Sequence, residues 1–245
     1  MTRRAQRRVD ELLERAAQCH TLSRADPVRG ARLRALQGWQ AERLARTYED
    51  LHRQPQFAAA IEFFLRDLYG PGEFEQRDRE FERAWRYLRN ALPESLLEVL
   101  ADALELQVLT AELDWQMAGV LTEERVSAST YIEAYRRVDR RELRERQIDL
   151  VVDIGLRLEP ATRRPWVALA LRTARPAAQA GGFGTLQDFL ERGFRACTRL
   201  ADVEWLFDRI RYRETRLMQA LLSPDTASAL ALLDGEHASR AGAGA

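Results

Sequence analysis

The stretch LLEVLADALELQVLTAEL, residues 96–113, decides the fold, because apolar residues cover much of its helical circumference. Leu97, Val99 and Leu100 already point in different directions on a helix. A helix that is apolar on several sides is buried among other helices, whereas a surface helix carries one apolar stripe. We therefore predict a central helix over Leu96–Leu113. Its Glu105 is then partly buried, and we expect an arginine partner for this carboxylate.

Amphipathic helices are predicted on both sides of this stretch, because apolar residues recur there at i, i+3 and i+4 spacing. The clearest stripes run through residues 57–68, 81–92, 186–197 and 203–221. The sequence therefore predicts an all-α fold, a compact bundle of about nine or ten helices around the central helix. We expect a single helical domain over residues 1–233, with N-terminal helices in 1–53 and a core in 55–222. The small and polar residues of 234–245 are typical of a disordered tail.

One segment, Ile148 to Leu158, fits two structures. From Leu150 onward every second residue is apolar, which is the period of a strand. A helical stripe through Ile148, Val151 and Gly155 fits equally well. The helix is favoured, because a lone strand in a helical protein has no partner strand to pair with.

Two helix starts can be predicted from capping residues. Asp26 followed by Pro27 has the composition of an N-cap with proline in the first helical position. Thr185 with Asp188 resembles an acidic capping box just after a glycine-rich turn. The glycines and proline of residues 69–72 predict an abrupt helix end.

The composition argues against several classes of function. All 38 basic residues are arginine and 38 acidic residues balance them, so the excess of positive charge that is typical of a nucleic-acid binder is missing. Cys19 and Cys197 lack the spacing of a zinc site. No segment approaches the roughly 18 apolar residues of a membrane span, and the N-terminal residues lack the apolar core of a signal peptide. We expect a cytoplasmic protein without membrane or nucleic-acid partners.

Candidate catalytic and cofactor motifs are weak. Glu49 and His52 form one E-x-x-H pair, but the second copy that a di-iron bundle needs is absent, and His20 lacks the surroundings of a haem ligand. The turn at residues 181–184 precedes a helix N-terminus, yet it matches neither a P-loop nor a dinucleotide-binding fingerprint. We expect no metal, no cofactor and no catalytic residues. Enzymatic activity stays open, and we lean against it.

Arginines are concentrated around the predicted helix that contains residues 141–147. Intrahelical ion pairs with interleaved acidic residues, such as Arg141 with Glu145, explain most of this charge as a solvated face. The alternative is an interaction patch for a phosphate group or an acidic partner. That patch would consist of Arg136, Arg137, Arg140, Arg141 and Arg144.

Three segments together resemble a family of bacterial helical proteins of unknown function. They are FFLRDLYGP (63–71) followed by Arg77-Asp78, ADALEL (101–106), and LQDFLERGF (186–194) followed by Arg213-Glu214. The resemblance spans roughly residues 55–222 and implies a coherent helical fold without an assigned activity.

Each of these segments places charged residues beside bulky apolar ones. Such charges are stable in a core only when they are paired, so we expect arginine–carboxylate bridges between helices. The alternative is a charged pocket between helices that binds a ligand. The candidate residues are Asp67, Arg77, Asp78, Glu105, Glu191, Arg192, Arg213 and Glu214.

Two functions remain after these exclusions. The favoured one is a non-enzymatic interaction or regulatory protein with a protein partner, and a homo-oligomer stays open. Exposure of Trp39, Trp115 or Trp166 would support it, because tryptophan and arginine are typical interface anchors. The alternative is a helical enzyme or small-molecule sensor whose charged interhelical pocket takes an anionic ligand.

Overall fold

The computed structural model describes residues 2–68, 74–90 and 92–234, and within these ranges the chain forms α-helices, one π-helical segment and no strand. The predicted all-α fold is therefore confirmed. Ile148 to Leu158 lies wholly inside a helix. The helix end predicted at residues 69–72 and most of the predicted tail lie outside the described residues.

Twelve α-helices lie in the described ranges, and two of them, with four and eight residues, are too short to repeat an apolar stripe, so the pattern did not predict them separately. A π-helical segment, Phe64–Leu68, continues the fourth helix. The helices are α1 (Thr2–Ala25), α2 (Pro27–Thr47), α3 (Glu49–His52), α4 (Pro55–Phe63), α5 (Phe74–Leu88), α6 (Glu94–Val120), α7 (Ala128–Val138), α8 (Arg141–Thr162), α9 (Pro165–Ala180), α10 (Gly184–Thr198), α11 (Val203–Leu222) and α12 (Thr226–Leu233).

Helix α6 is the central element that the opening stretch predicts. It packs against α1, α2, α7 and α8. Its buried residues lie on several sides, and Leu97, Leu113 and Met117 have no solvent exposure at all. A continuous apolar surface of this kind is stable only when other helices cover it, which explains why α6 forms the centre of the bundle.

One part of the core lies between α1 and α6. Val9 and Leu12 of α1 pack in one buried cluster with Leu97, Leu104 and Val108 of α6. Their spacing along α1 places them on one face, which is the face that turns toward α6. Helix α1 therefore covers the N-terminal half of the central helix.

A second part of the core joins α2, α6, α7, α11 and α12. Leu36, Met117, Tyr135, Leu217 and Leu233 all belong to it and are buried. The C-terminal half of α6 thus shares its core with α2, α7, α11 and α12.

Helices α8 and α11 approach each other closely at Gly155. A Cβ atom at this position would lie 1.9 Å from Cζ of the Phe207 ring, so any larger residue would displace the ring. This glycine belongs to the stripe that the sequence places on one helical face. Its missing side chain provides the space into which the ring of α11 packs.

The two predicted helix starts differ in outcome. The carboxylate of Asp26 accepts a hydrogen bond from Arg29 N at 2.9 Å, so the predicted N-cap of α2 is confirmed. At α10 the predicted capping box is wrong, because the N-cap is Phe183 and provides no side-chain bond. Instead, Glu80 of α5 accepts the Leu186 N–H at 2.8 Å. A capping group from a different helix leaves no local sequence pattern.

Candidate functional site

The eight charged residues predicted from the sequence fall into separate groups of contacts. The first group links the π-helical segment, α5 and α10. Arg192 pairs with Asp67 at 2.7 Å, and Arg77 donates to the Asp67 carbonyl at 3.0 Å. Asp78 accepts from Gln107 of α6 at 2.6 Å. These contacts join the π-helical segment to α5 and α10, and they join α5 to α6.

The second group surrounds Glu105 on α6. Arg146 of α8 donates to its carboxylate at 2.8 Å, and Arg8 of α1 pairs with the same carboxylate. The hydrogen bond from Arg146 lowers the pKa of Glu105, and Arg8 adds to this effect against the opposing influence of burial. The arginine partners that we expected for Glu105 are therefore present, and they join the central helix to α1 and α8.

Two of the remaining predicted residues, Glu191 and Arg213, form two further groups. Glu191 accepts from Arg175 of α9 at 2.6 Å. Arg213 pairs with Asp50 at 2.5 Å. Both contacts lie between helices, as the bridging interpretation predicts.

Glu214 lies in a different environment, because it faces an interhelical cavity. It accepts hydrogen bonds from Arg43 and from the Tyr48 hydroxyl, each at 2.8 Å. The other seven predicted residues lie outside the lining of this cavity.

The five arginines of the predicted patch do not share one face. Arg144 is buried, and Arg136 donates to the Leu221 carbonyl at 2.9 Å and to Thr226 at 3.0 Å. Arg137, Arg140 and Arg141 are exposed. Arg141 pairs with Glu145 at 3.9 Å, as the helical spacing predicts.

The cavity lies between α2, α6, α7, α8 and α11 and has a volume of about 80 Å³. Four charged side chains line it: Arg43, Asp114, Arg144 and Glu214. Uncharged polar side chains also line the cavity, and they are Gln40, Thr110, Tyr131, Tyr135 and Gln147. Arg43 and Asp114 were missed from sequence, although Asp114 directly follows the apolar stretch 96–113 and lies on the buried side of α6.

Burial raises the pKa of two groups in the cavity region, Asp114 and Tyr48. It raises the pKa of Asp114, while the charge of Arg144 and hydrogen bonds from Gln40 and Gln37 act in the opposite direction. Glu214 has its arginine and tyrosine donors at bonding distance. The Tyr48 phenol is also buried, and burial together with the neighbouring Glu214 charge raises its pKa well above the ordinary value. Tyr48 therefore stays neutral and acts as a hydrogen-bond donor.

Helix α9 shows a different feature, an outward face that is almost entirely apolar. None of its residues is buried, and Trp166 and Leu169 are 52% and 51% exposed. Exposed residues recur at i, i+3, i+4, i+7 and i+11, so they lie on one side of the helix. We call this side the α9 face, and its residues are Trp166, Leu169, Ala170, Thr173 and Ala177.

The opposite side of α9 faces the rest of the protein. Helix α9 packs against α10 and α8. Arg175 pairs with Asp188 of α10 at 2.9 Å, and Gln187 donates to the Leu171 carbonyl at 2.7 Å. These polar contacts lie on the inner side of α9, and the α9 face is open to solvent.

The other two tryptophans that we named as interface candidates are half-buried. Trp39 stacks on Tyr131, with ring centroids 4.3 Å apart. The Arg29 guanidinium covers Trp115 at 4.0 Å from the ring centroid. Both rings therefore have partners within the chain, and Trp166 is the exposed member of the three.

Comparisons with known proteins place the chain in a family. Residues 19–228 match the family model described as "Domain of unknown function (DUF8198)", so the chain belongs to this family. No curated protein and no solved structure matches. In the part of the chain that the structure describes, no helix is both long and apolar enough to cross a membrane. The same residues contain no group of three or more His, Cys, Asp and Glu side chains that could hold a metal ion.

Proposed function

We propose that this member of the DUF8198 family is a non-enzymatic interaction protein, and that its α9 face binds an acidic amphipathic helix of a protein partner. The observation that carries the proposal is the exposure of Trp166 and Leu169 side by side on a helix without buried residues. Contiguous apolar surface costs free energy in water, and exposed patches of this kind are typical of interaction sites.

The residue types of the α9 face suit a helical partner. Trp166 offers a large apolar surface, and tryptophan is among the residues most enriched at the energetic centres of interfaces. The small residues Ala170, Thr173 and Ala177 continue the same stripe. A stripe at this spacing fits the apolar side of a second helix, whose larger residues can approach close to the small ones.

The charge around the α9 face favours an acidic partner. No acidic residue lies between Glu159 and Asp188, whereas this interval contains Arg163, Arg164, Arg172 and Arg175. Carboxylates already pair with two of these arginines, Arg163 with Glu159 at the end of α8 and Arg175 with Glu191 of α10. Arg164 and Arg172 are exposed beside the apolar stripe.

This charge also argues against self-association through α9. Two copies packed face to face would bring like charges together, and like-charge contacts are costly at an interface. Glutamates flanking the apolar stripe of a partner helix would instead pair with Arg164 and Arg172.

The test uses a labelled synthetic helical peptide with a leucine stripe flanked by glutamates, and a twin in which arginines replace the glutamates. Fluorescence anisotropy should show binding of the acidic peptide and much weaker binding of the basic twin. Trp166→Ala should weaken binding by about thirtyfold, which corresponds to a hot-spot residue contributing about 2 kcal/mol. Tyr212→Ala removes an exposed aromatic ring from α11 and provides the matched control.

Three results would contradict the proposal. The first is equal binding of both peptides, and the second is an equal effect of the Trp166 and Tyr212 variants. The third is a different occupant of the α9 face. Trp166-dependent dimerisation in sedimentation experiments would identify a second copy, and Trp166-dependent binding to vesicles of anionic lipid would identify a membrane surface.

A further inference from the structure

Arg144 is a buried cation whose charge acts on the neighbouring Asp114 carboxyl without a salt-bridge contact. Its side chain donates to Gln147 Oε1 at 3.3 Å and to Met117 Sδ at 3.0 Å, and its guanidinium lies 4.6 Å from the Tyr135 ring centroid. It forms no ion pair with any carboxylate of the described residues. A buried charge is costly unless an anion compensates it at short distance. Both polar contacts of Arg144 are weak compensation for a full positive charge.

The second arginine of the cavity also keeps an unused donor. Arg43 is 7% exposed and its Nη1 donates to Glu214. Its Nε is buried and has no hydrogen-bond partner among the described residues. Buried N–H groups in native proteins are almost always satisfied by protein, water or ligand.

The two carboxyl groups of the cavity are engaged in other hydrogen bonds. Glu214 is already paired with Arg43 and Tyr48, and Asp114 accepts from Gln40 at 3.0 Å. The buried donor that lacks an acceptor at the cavity is therefore Nε of Arg43, while Arg144 lacks a carboxylate at salt-bridge distance among the described residues.

The size and wall of the cavity restrict the ligand. A volume of about 80 Å³ exceeds the roughly 10–15 Å³ that one water molecule needs, so several waters or one small molecule fit. Apolar residues also belong to the lining, among them Ile210, Leu217 and Met218. A ligand that matches this mixed lining has one anionic end and a short apolar end.

We propose that this cavity binds a short-chain carboxylate, with its carboxylate on Arg144 and its alkyl group against Ile210, Leu217 and Met218. The planar guanidinium matches a carboxylate through two parallel hydrogen bonds, which a spherical anion such as chloride cannot form. The α9 face does not line this cavity, so the carboxylate site and the docking of a partner helix can fail independently.

Methionine methyl groups provide a direct test, because Met218 lines the cavity and Met117 contacts Arg144. The full chain is labelled with ¹³C at the methionine methyls and titrated with propionate, and the Met218 signal is assigned with Met218→Leu. Saturable shifts of the Met117 and Met218 signals are expected with propionate. Propionamide, which has the same shape without the charge, should produce none.

Two variants test whether Arg144 itself binds the carboxylate. Arg144→Gln should weaken propionate binding by about ten- to a hundredfold, the effect of losing hydrogen bonds to a charged group. Arg141→Gln, an exposed position one turn earlier on the same helix, should bind propionate like the unaltered chain.

Two outcomes would overturn the proposal. One is the absence of saturable methyl shifts with propionate in the unaltered chain, which would mean that the cavity holds only water. The other is an equal response to propionate and propionamide, which would mean that charge is not recognised. Both are measured without any variant, so they hold even where Arg144→Gln disturbs folding.

Discussion

Gly155 and Gly38 lie in similar positions within helices, but their surroundings are opposite. A Cβ atom at Gly155 would fall 1.9 Å from the Phe207 ring, whereas a Cβ atom at Gly38 would have nothing within 4 Å. Alanine is therefore expected to destabilise the protein at position 155 and to stabilise it at position 38.

The magnitudes follow from two opposing effects. Alanine is more favourable than glycine inside a helix by about 0.8–1 kcal/mol, and this gain applies at both positions. Crowding of a packed contact costs about 1–3 kcal/mol, and it applies only where the Phe207 ring must move. We expect Gly38→Ala to raise the free energy of unfolding by about 0.4–1 kcal/mol. The free energies of unfolding of the two variants should then differ by about 1–3 kcal/mol, because the gain in helix propensity is common to both.

Urea unfolding followed by circular dichroism measures both changes. Phe207→Ala removes the ring, so Gly155→Ala should become stabilising when it is introduced into that variant. This double-mutant cycle assigns the cost to one pair of residues. Equal stabilisation by alanine at positions 155 and 38, or an unchanged cost of Gly155→Ala without the ring, would refute the close packing of α8 on α11.

Three further predictions concern charged groups. Burial raises the pKa of Asp114, so the native chain holds this proton to a higher pH than the unfolded chain and loses stability as the pH rises through the raised pKa. Asp114→Asn should therefore stabilise the protein at neutral pH and lose this advantage in acid, which urea titrations across a pH series can check. Asp26→Ala should lower the melting temperature, because it removes an N-cap that contributes about 1 kcal/mol. Arg213→Gln should cost about 1.5–3 kcal/mol, since it removes the hydrogen bonds of a buried guanidinium to the half-exposed Asp50 carboxylate and to the Thr47 carbonyl. Arg53→Gln, which breaks an exposed ion pair, should cost less than about 1 kcal/mol in the same denaturation assay.

Much of the fold could be predicted because it depends on short-range spacing. The apolar circumference of residues 96–113 is a property of one segment, and it identifies the central helix without any knowledge of its neighbours. The choice of helix for residues 148–158 also needed no tertiary contact, because a strand would have lacked a partner. By contrast, the N-terminus of α10 is capped by Glu80 from α5, and a carboxylate about a hundred residues away leaves no mark in the local sequence.

The candidate sites were harder to predict, because they depend on which sides of distant helices meet. Glu105 was singled out for its apolar neighbours, and the same reasoning applies to Asp114 on the same helix. Arg144 belonged to a run of arginines that looked alike in sequence. Only the position of α8 against α6 and α7 turns Arg144 inward, while Arg141 of the same run stays in solvent. Residue type indicated bridges, but it could not show which charge would remain without an ionic partner.

The position of α1 has a practical meaning for anyone who expresses a fragment of this protein. The family match begins at residue 19, inside α1, yet Val9 and Leu12 lie before that point and are almost fully shielded from water. Trimming the chain to 19–228 would strip the cover from Leu97 and Val108 and would also delete Leu233 of α12. Such a fragment should aggregate. A family match ends where sequence similarity ends, whereas a cooperatively folding domain extends as far as its buried contacts do.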